Sequence, residues 1–100
     1  MRERDLIADW LVERVGGLTE VDPDTIPWDM PFIDIGLSSV EAVELSEDLQ
    51  RWTDLELPPT LCFDYPTIEA VAEFVAAAAA REGRSLSLSR ARAREGAVVR

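Results

Sequence analysis

The sequence has no histidine and no lysine, and its single cysteine is Cys62. Without imidazole there is no Ser–His or Cys–His pair and no histidine metal ligand. One cysteine excludes an internal disulfide framework and fits a reducing cytoplasm. No apolar run reaches the roughly 20 residues of a membrane helix. The start Met1-Arg2-Glu3-Arg4-Asp5 lacks the charged-then-apolar pattern of a secretory signal. Neither a P-loop nor a metal-ligand spacing is present. The many carboxylates form no obvious buried pair of the kind that glycoside hydrolysis needs. These absences point away from an enzyme.

The remaining composition is that of a small globular domain: 100 residues, 47% of them hydrophobic. A chain this short is only marginally stable. Its charge is uneven. Residues 1–80 carry 18 acids and 4 arginines, whereas residues 81–100 carry 2 acids and 6 arginines. An acidic body repels nucleic acid and attracts basic protein surfaces. The serine- and arginine-rich stretch 83–100 has little to bury and is predicted to be a flexible tail or linker, leaving 1–82 as the folded domain.

Hydrophobic spacing predicts an all-α fold, a small antiparallel bundle of three or four helices with a long loop after the first. Leu6, Ile7, Trp10, Leu11 and Val15 form one stripe over residues 3–16, with Trp10 as a core anchor and Gly16-Gly17 as the stop. Residues 17–37 hold nine apolar side chains, too many for a solvated linker, and should pack down across the helices. A second helix over 39–52 buries Ala42, Leu45, Ser46 and Leu49. Val40, Val43, Glu44 and Glu47, flanked by Glu41 and Asp48, make its second face. Thr53-Asp54-Leu55-Glu56 reads as a turn leading to Leu57-Pro58-Pro59, where the two prolines stop any helix. Leu61, Cys62 and Phe63 in a short turn close over the core, with Cys62 a small hydrophobe. Thr67 caps a last helix that buries Ile68, Val71, Ala72 and Val75.

One stretch carries chemistry: Asp34-Ile35-Gly36-Leu37-Ser38-Ser39-Val40. Gly36 suits a sharp turn. Ser38-x-x-Glu41 reads as a capping box, and Ser39 then begins the helix at the positive end of its dipole, where a phosphate would be stabilised. Such a motif often marks no more than a helix start.

The wider pattern resembles the acyl carrier protein family. It comprises Asp34-x-Gly36-x-x-Ser39-Val40, Glu44-Leu45, and the downstream Leu57-Pro58-Pro59-Thr60-Leu61 and Phe63-Asp64-Tyr65-Pro66-Thr67-Ile68. Val21-Asp22-Pro23-Asp24-Thr25-Ile26 is similar to the family's core-forming loop. The resemblance implies that Ser39 carries 4′-phosphopantetheine, installed from coenzyme A by a phosphopantetheinyl transferase. It also implies that the second helix, through Val40, Glu41, Val43, Glu44, Glu47 and Asp48, meets partner enzymes. These would be an acyl-loading enzyme (an acyl-AMP ligase or acyltransferase) and a ketosynthase or other synthase domains. The carrier itself would be monomeric and cytoplasmic. In the narrowest form the resemblance is to polyketide carriers loaded by fatty acyl-AMP ligases. The family usually has Asp before the modified serine. Here Ser38 stands there, so Ser38 is a second candidate for attachment. A peptidyl carrier and a helical adaptor without pantetheine are the alternative readings.

Overall fold

A computed structural model describes residues 3–83; the tail expected over 83–100 therefore lies almost wholly outside the described residues. The elements are α1 (Glu3–Thr19), a 3-10 turn (Pro23–Thr25), α2 (Phe32–Ile35), α3 (Ser39–Thr53), α4 (Leu61–Asp64) and α5 (Ile68–Arg81). Three long helices form the body, and α2 and α4 are single turns. Among the described residues the only β-type pairing is an isolated bridge between Pro31 and Thr67.

The apolar stripes meet as their spacing predicts. Ile7, Leu11 and Val15 of α1, Leu45 and Leu49 of α3, Leu61 of α4, and Ile68, Val71 and Val75 of α5 are all fully buried. α1 packs chiefly along α5, and α3 lies against α4 and α1. Truncating one of these leucines to alanine typically costs about 2–5 kcal/mol, a large part of the stability of a domain this size. Thr67 caps α5 by accepting from the Ala70 N–H at 3.1 Å.

The long connection packs down. Ile26, Phe32 and Leu37 are buried, and Leu18, Val21, Trp28 and Ile35 lie against the core. Its backbone is stitched to the start of α5. Phe32 N–H donates to Pro66 O at 2.8 Å, and Glu69 N–H donates to Trp28 O at 2.9 Å.

Four expectations need correction. First, α1 does not stop at Gly16-Gly17 but runs to Thr19, and the left-handed residue after it is Glu20 (φ 60°). Gly16 is buried where the returning chain crosses the helix. A Cβ there would lie 2.8 Å from Pro23 Cγ and from the Val21 carbonyl oxygen. Second, Trp10 is half-buried at the margin. It stacks on Trp52 at 5.0 Å and 11°, with the Arg14 guanidinium 6.0 Å from its ring centroid. Third, the stretch after α3 is more than a turn, because Leu55 and Leu57 are core residues. Their N–H groups donate to Thr53 Oγ1 at 3.3 Å and Gln50 Oε1 at 2.8 Å, which lets the irregular backbone lie against the core. Fourth, Phe63 does not close over the core: it is 50% exposed.

The contrast between the two glycines is testable. Gly17 has nothing within 4 Å of an added Cβ. Gly17→Ala should stabilise the protein by about 0.5–1 kcal/mol through helix propensity. Gly16→Ala should destabilise it by about 1–3 kcal/mol through overpacking. Urea denaturation followed by circular dichroism reads both, and equal shifts would contradict the crossing geometry.

Candidate functional site

The site is built by a turn, a cap and a short helix. α2 buries Phe32 and ends at Gly36, whose left-handed φ of 108° favours glycine. Gly36 N–H donates to Ile33 O and Leu37 N–H to Phe32 O, so the chain reverses and drives Leu37 into the core. Ser38 is extended (φ −78°, ψ 167°) and caps α3. Its Oγ accepts from Glu41 N–H at 3.2 Å, and Glu41 Oε1 accepts from Ser38 N–H at 2.9 Å. The predicted capping box is complete. On its outer flanks Leu37 and Ala42 occupy the hydrophobic-staple positions, and both are buried. The Glu41 carboxyl is held below its ordinary value by the Ser38 backbone N–H and then by the Ser38 hydroxyl.

Ser39 is the first residue of α3 and is exposed. Its hydroxyl makes no hydrogen bond to another described residue. The N–H groups of Ser39 and Val40, left over by the box, are among the unsatisfied donors of the helix start. Both serines open onto a cavity of about 230 Å³ whose walls include Phe32, Leu37, Ala42, Cys62 and Pro66. Two exposed apolar side chains also line it, Ile33 at 79% exposure and Phe63 at 50%, and Val40, next to Ser39 on α3, is 69% exposed. Cys62 is buried in the wall. Its N–H donates to Ser46 Oγ, whose hydroxyl donates to Ala42 O. Burial pushes the Cys62 thiol up, opposed in part by Ser46.

The residues expected on the second face of α3 differ in exposure and in partners. Val40, Glu44 and Glu47 are exposed and share a helical face. Val43 is half-buried. Glu41 is occupied by the box. Asp48 is ion-paired with Arg14 of α1 and with Arg51. Ile33 and Phe63 were not foreseen as part of the surface. Reading Phe32-Ile33-Asp34-Ile35 as a helical turn would have found Ile33, because Phe32 and Ile35 at i, i+3 turn inward and leave Ile33 outside.

The fold and this site define a small helical domain that holds out an unengaged hydroxyl at a helix start, beside an apolar cavity. The chain belongs to the phosphopantetheine attachment site family, which it matches over residues 9–75. It is 53% identical over 57 residues, or 57% of this chain, to the phenolphthiocerol synthesis polyketide synthase type I of Mycobacterium bovis. It is 42% identical over 53 residues, or 53% of this chain, to the erythronolide synthase of Saccharopolyspora erythraea. It spans only 2% of the length of each. Among solved structures it is similar to a free-standing peptidyl carrier protein from Acinetobacter baumannii. There the TM-score is 0.71 at 38% identity, covering 77% of this chain and 96% of that one. The HMG-ACPI domain of the CurA module from Lyngbya majuscula gives a TM-score of 0.70 at 26% identity, covering 77% and 78%.

The family's group, covalent 4′-phosphopantetheine, fits what is present. The helix start offers an exposed serine oxygen for the ester and N–H donors for the phosphate. The apolar rim lies where the arm would leave. Among the described residues no helix is long and apolar enough to cross a membrane.

The Glu41 shift predicts a pH dependence. Its folded carboxyl titrates below the unfolded one, so its contribution is present above the ordinary carboxylate range and lost as pH falls through the lowered value. The gap in melting temperature between wild type and Glu41→Gln should therefore narrow on acidification. Thermal melts from neutral pH downward check this, and a gap that widens in acid would contradict the assignment.

Proposed function

We propose that this chain is an acyl carrier domain of a polyketide-type synthase and that Ser39 is its attachment residue. The observation that carries this reading is the Ser39 hydroxyl, exposed and unengaged at the first residue of α3, in a chain of the phosphopantetheine attachment family. Ser38 is the weaker candidate because its oxygen already accepts from Glu41 N–H. When bound, the arm supplies a thiol that holds acyl groups as thioesters. The domain's own contribution is to present and tether, which raises the effective concentration of cargo at successive partners. It performs no chemistry of its own and works in the cytoplasm, where coenzyme A and the transferase meet it.

The partners are a phosphopantetheinyl transferase, an acyl-loading enzyme and a ketosynthase or other synthase domains. The polyketide assignment is supported by the carrier regions of the Mycobacterium bovis and Saccharopolyspora erythraea synthases. Within it, an acyl-AMP ligase is the loading enzyme that the Leu57–Leu61 resemblance favours. The likeness to the Acinetobacter peptidyl carrier supports a second reading, a peptidyl carrier with the same arm and a different cargo. Loading assays with fatty acyl and aminoacyl adenylates, each supplied by its ligase, separate the two cargoes. Visiting enzymes would meet the face of Val40, Glu44 and Glu47, by charge steering and small apolar contacts.

Incubation with coenzyme A and a broad-specificity transferase should add one phosphopantetheine to wild type and none to Ser39→Ala, read by intact mass. Gain retained by Ser39→Ala and lost by Ser38→Ala would move the site by one residue. No gain with several transferases would favour an adaptor. Reversing Glu44 and Glu47 to arginine should slow loading by about tenfold or more at low salt, with the difference shrinking as salt rises. Wild-type loading rates in low salt would refute electrostatic docking on this face.

A further inference from the structure

Two hydroxyls stand side by side at the mouth of one cavity, Ser38 and Ser39. A transferase arriving there meets two primary alcohols a single residue apart. Their surroundings differ in one respect. The Ser38 oxygen accepts from Glu41 N–H at 3.2 Å, and Ser38's own N–H donates to Glu41 Oε1 at 2.9 Å. The Ser39 oxygen has no partner among the described residues.

We infer that Glu41 is a positioning residue that directs the transfer to Ser39 and away from Ser38: its carboxylate holds the Ser38 N–H, and so fixes Ser38 where its hydroxyl stays on the Glu41 backbone N–H. This rests on the reading of the chain as a phosphopantetheine carrier. In the transfer, Ser39 Oγ forms a bond to the phosphorus next to pantetheine. The phosphorus–oxygen bond to the second phosphate of coenzyme A breaks. The nucleotide bisphosphate leaves with the electron pair, and the hydroxyl proton passes to a base of the transferase. The attacking oxygen must lie free and outward at that moment.

The box meets this need in two ways. It engages a lone pair of Ser38 Oγ and folds that oxygen over the helix end. It also fixes the Ser38 backbone extended, with Leu37 buried before it and Ala42 buried after it. That sets the turn at which Ser39 becomes the first helical residue. Glu41 touches neither the phosphorus nor the nucleophile, so its effect is indirect.

The charge of Glu41 and its hydrogen bond can be separated. In Glu41→Gln the amide oxygen can still accept from Ser38 N–H while the charge is gone. In Glu41→Ala both are lost. The test uses the full chain, coenzyme A and a transferase, with peptide mass mapping of the modified serine, steady-state constants for the carrier, and helix content by circular dichroism. Glu41→Ala should raise the carrier KM severalfold, because the turn that presents Ser39 is no longer held. It should also place a measurable share of the product on Ser38, with helix content retained. Glu41→Gln should restore the wild-type KM and product on Ser39 alone.

Three results overturn the inference. Glu41→Ala could modify Ser39 alone at the wild-type KM. Glu41→Gln could behave as Glu41→Ala, which would make the charge, and hence docking, the cause. Modification of wild type at Ser38, or none at all, would remove the carrier reading of Ser39 and this inference with it. Only the first two leave that reading standing. If Glu41→Ala loses helix content, Ser38→Thr provides the second variant. It keeps a capping hydroxyl, and it should retain modification on Ser39 alone; product on Thr at that position would count against the box.

Discussion

Everything around Ser39 depends on one backbone stitch. A connection of this length would be costly to order if its peptide groups had to find partners within itself. Instead Phe32 N–H is bonded to Pro66 O, Glu69 N–H to Trp28 O, and Pro31 is bridged to Thr67. These contacts fasten the loop to the segment just before and within the start of α5. Pro66 has no N–H of its own to offer but presents its carbonyl, and Thr67 is already fixed as the α5 cap. The consequence is geometric. Leu37 is buried in the core, and Phe32 of α2 and Leu37 line one cavity together with Cys62 of α4 and Pro66. Without the stitch there is no cavity, and the turn leading into Ser38 has no fixed origin.

From that origin α3 divides its surface by angle. Ala42, Leu45, Ser46 and Leu49 face inward. Ser46 is the polar member, and it is buried without penalty because its oxygen accepts from Cys62 N–H while its hydroxyl donates to Ala42 O. This ties α4 to α3 beneath the cavity. Glu41 and Asp48 look like members of an acidic face, yet each has a structural partner: the Ser38 N–H for one, Arg14 and Arg51 for the other. What remains outward is Val40, Glu44 and Glu47.

Much of this was legible in residue spacing. The core stripes of α1, α3 and α5, the box at Ser38 and Glu41, and the cap at Thr67 are all local patterns, and local patterns carry their own geometry. What was not legible depends on contacts between distant segments. Gly16 has the sequence signature of a helix stop. Its use is to let Val21 and Pro23 cross the helix, and nothing within residues 3–17 reveals that crossing. Phe63 sits in an apolar run, and only the direction of the single-turn α4 sends Leu61 and Cys62 inward and Phe63 out. Asp48 is one more acid on an acidic helix until α1 delivers Arg14 to it. Leu55 and Leu57 lie in what reads as a turn, and become core only because Thr53 and Gln50 accept their N–H groups.

The pairing of Asp48 also shapes the field of the domain. Two guanidinium groups flank that carboxylate, so its charge is compensated locally, by Arg14 of α1 and by Arg51. Other exposed acids are Glu44 and Glu47 on α3, Asp34 in α2 and Asp64 in α4. Screening limits steering by exposed charges to roughly 8–10 Å at moderate salt. Over that distance Asp34 and Asp64 act near the cavity, whereas Glu47 lies about 12 Å along the helix from Ser39. The large apolar side chains exposed among the described residues are Ile33, Val40 and Phe63. All three belong to α2, α4 or the start of α3, the elements around the cavity onto which the Ser39 hydroxyl opens with no partner among the described residues.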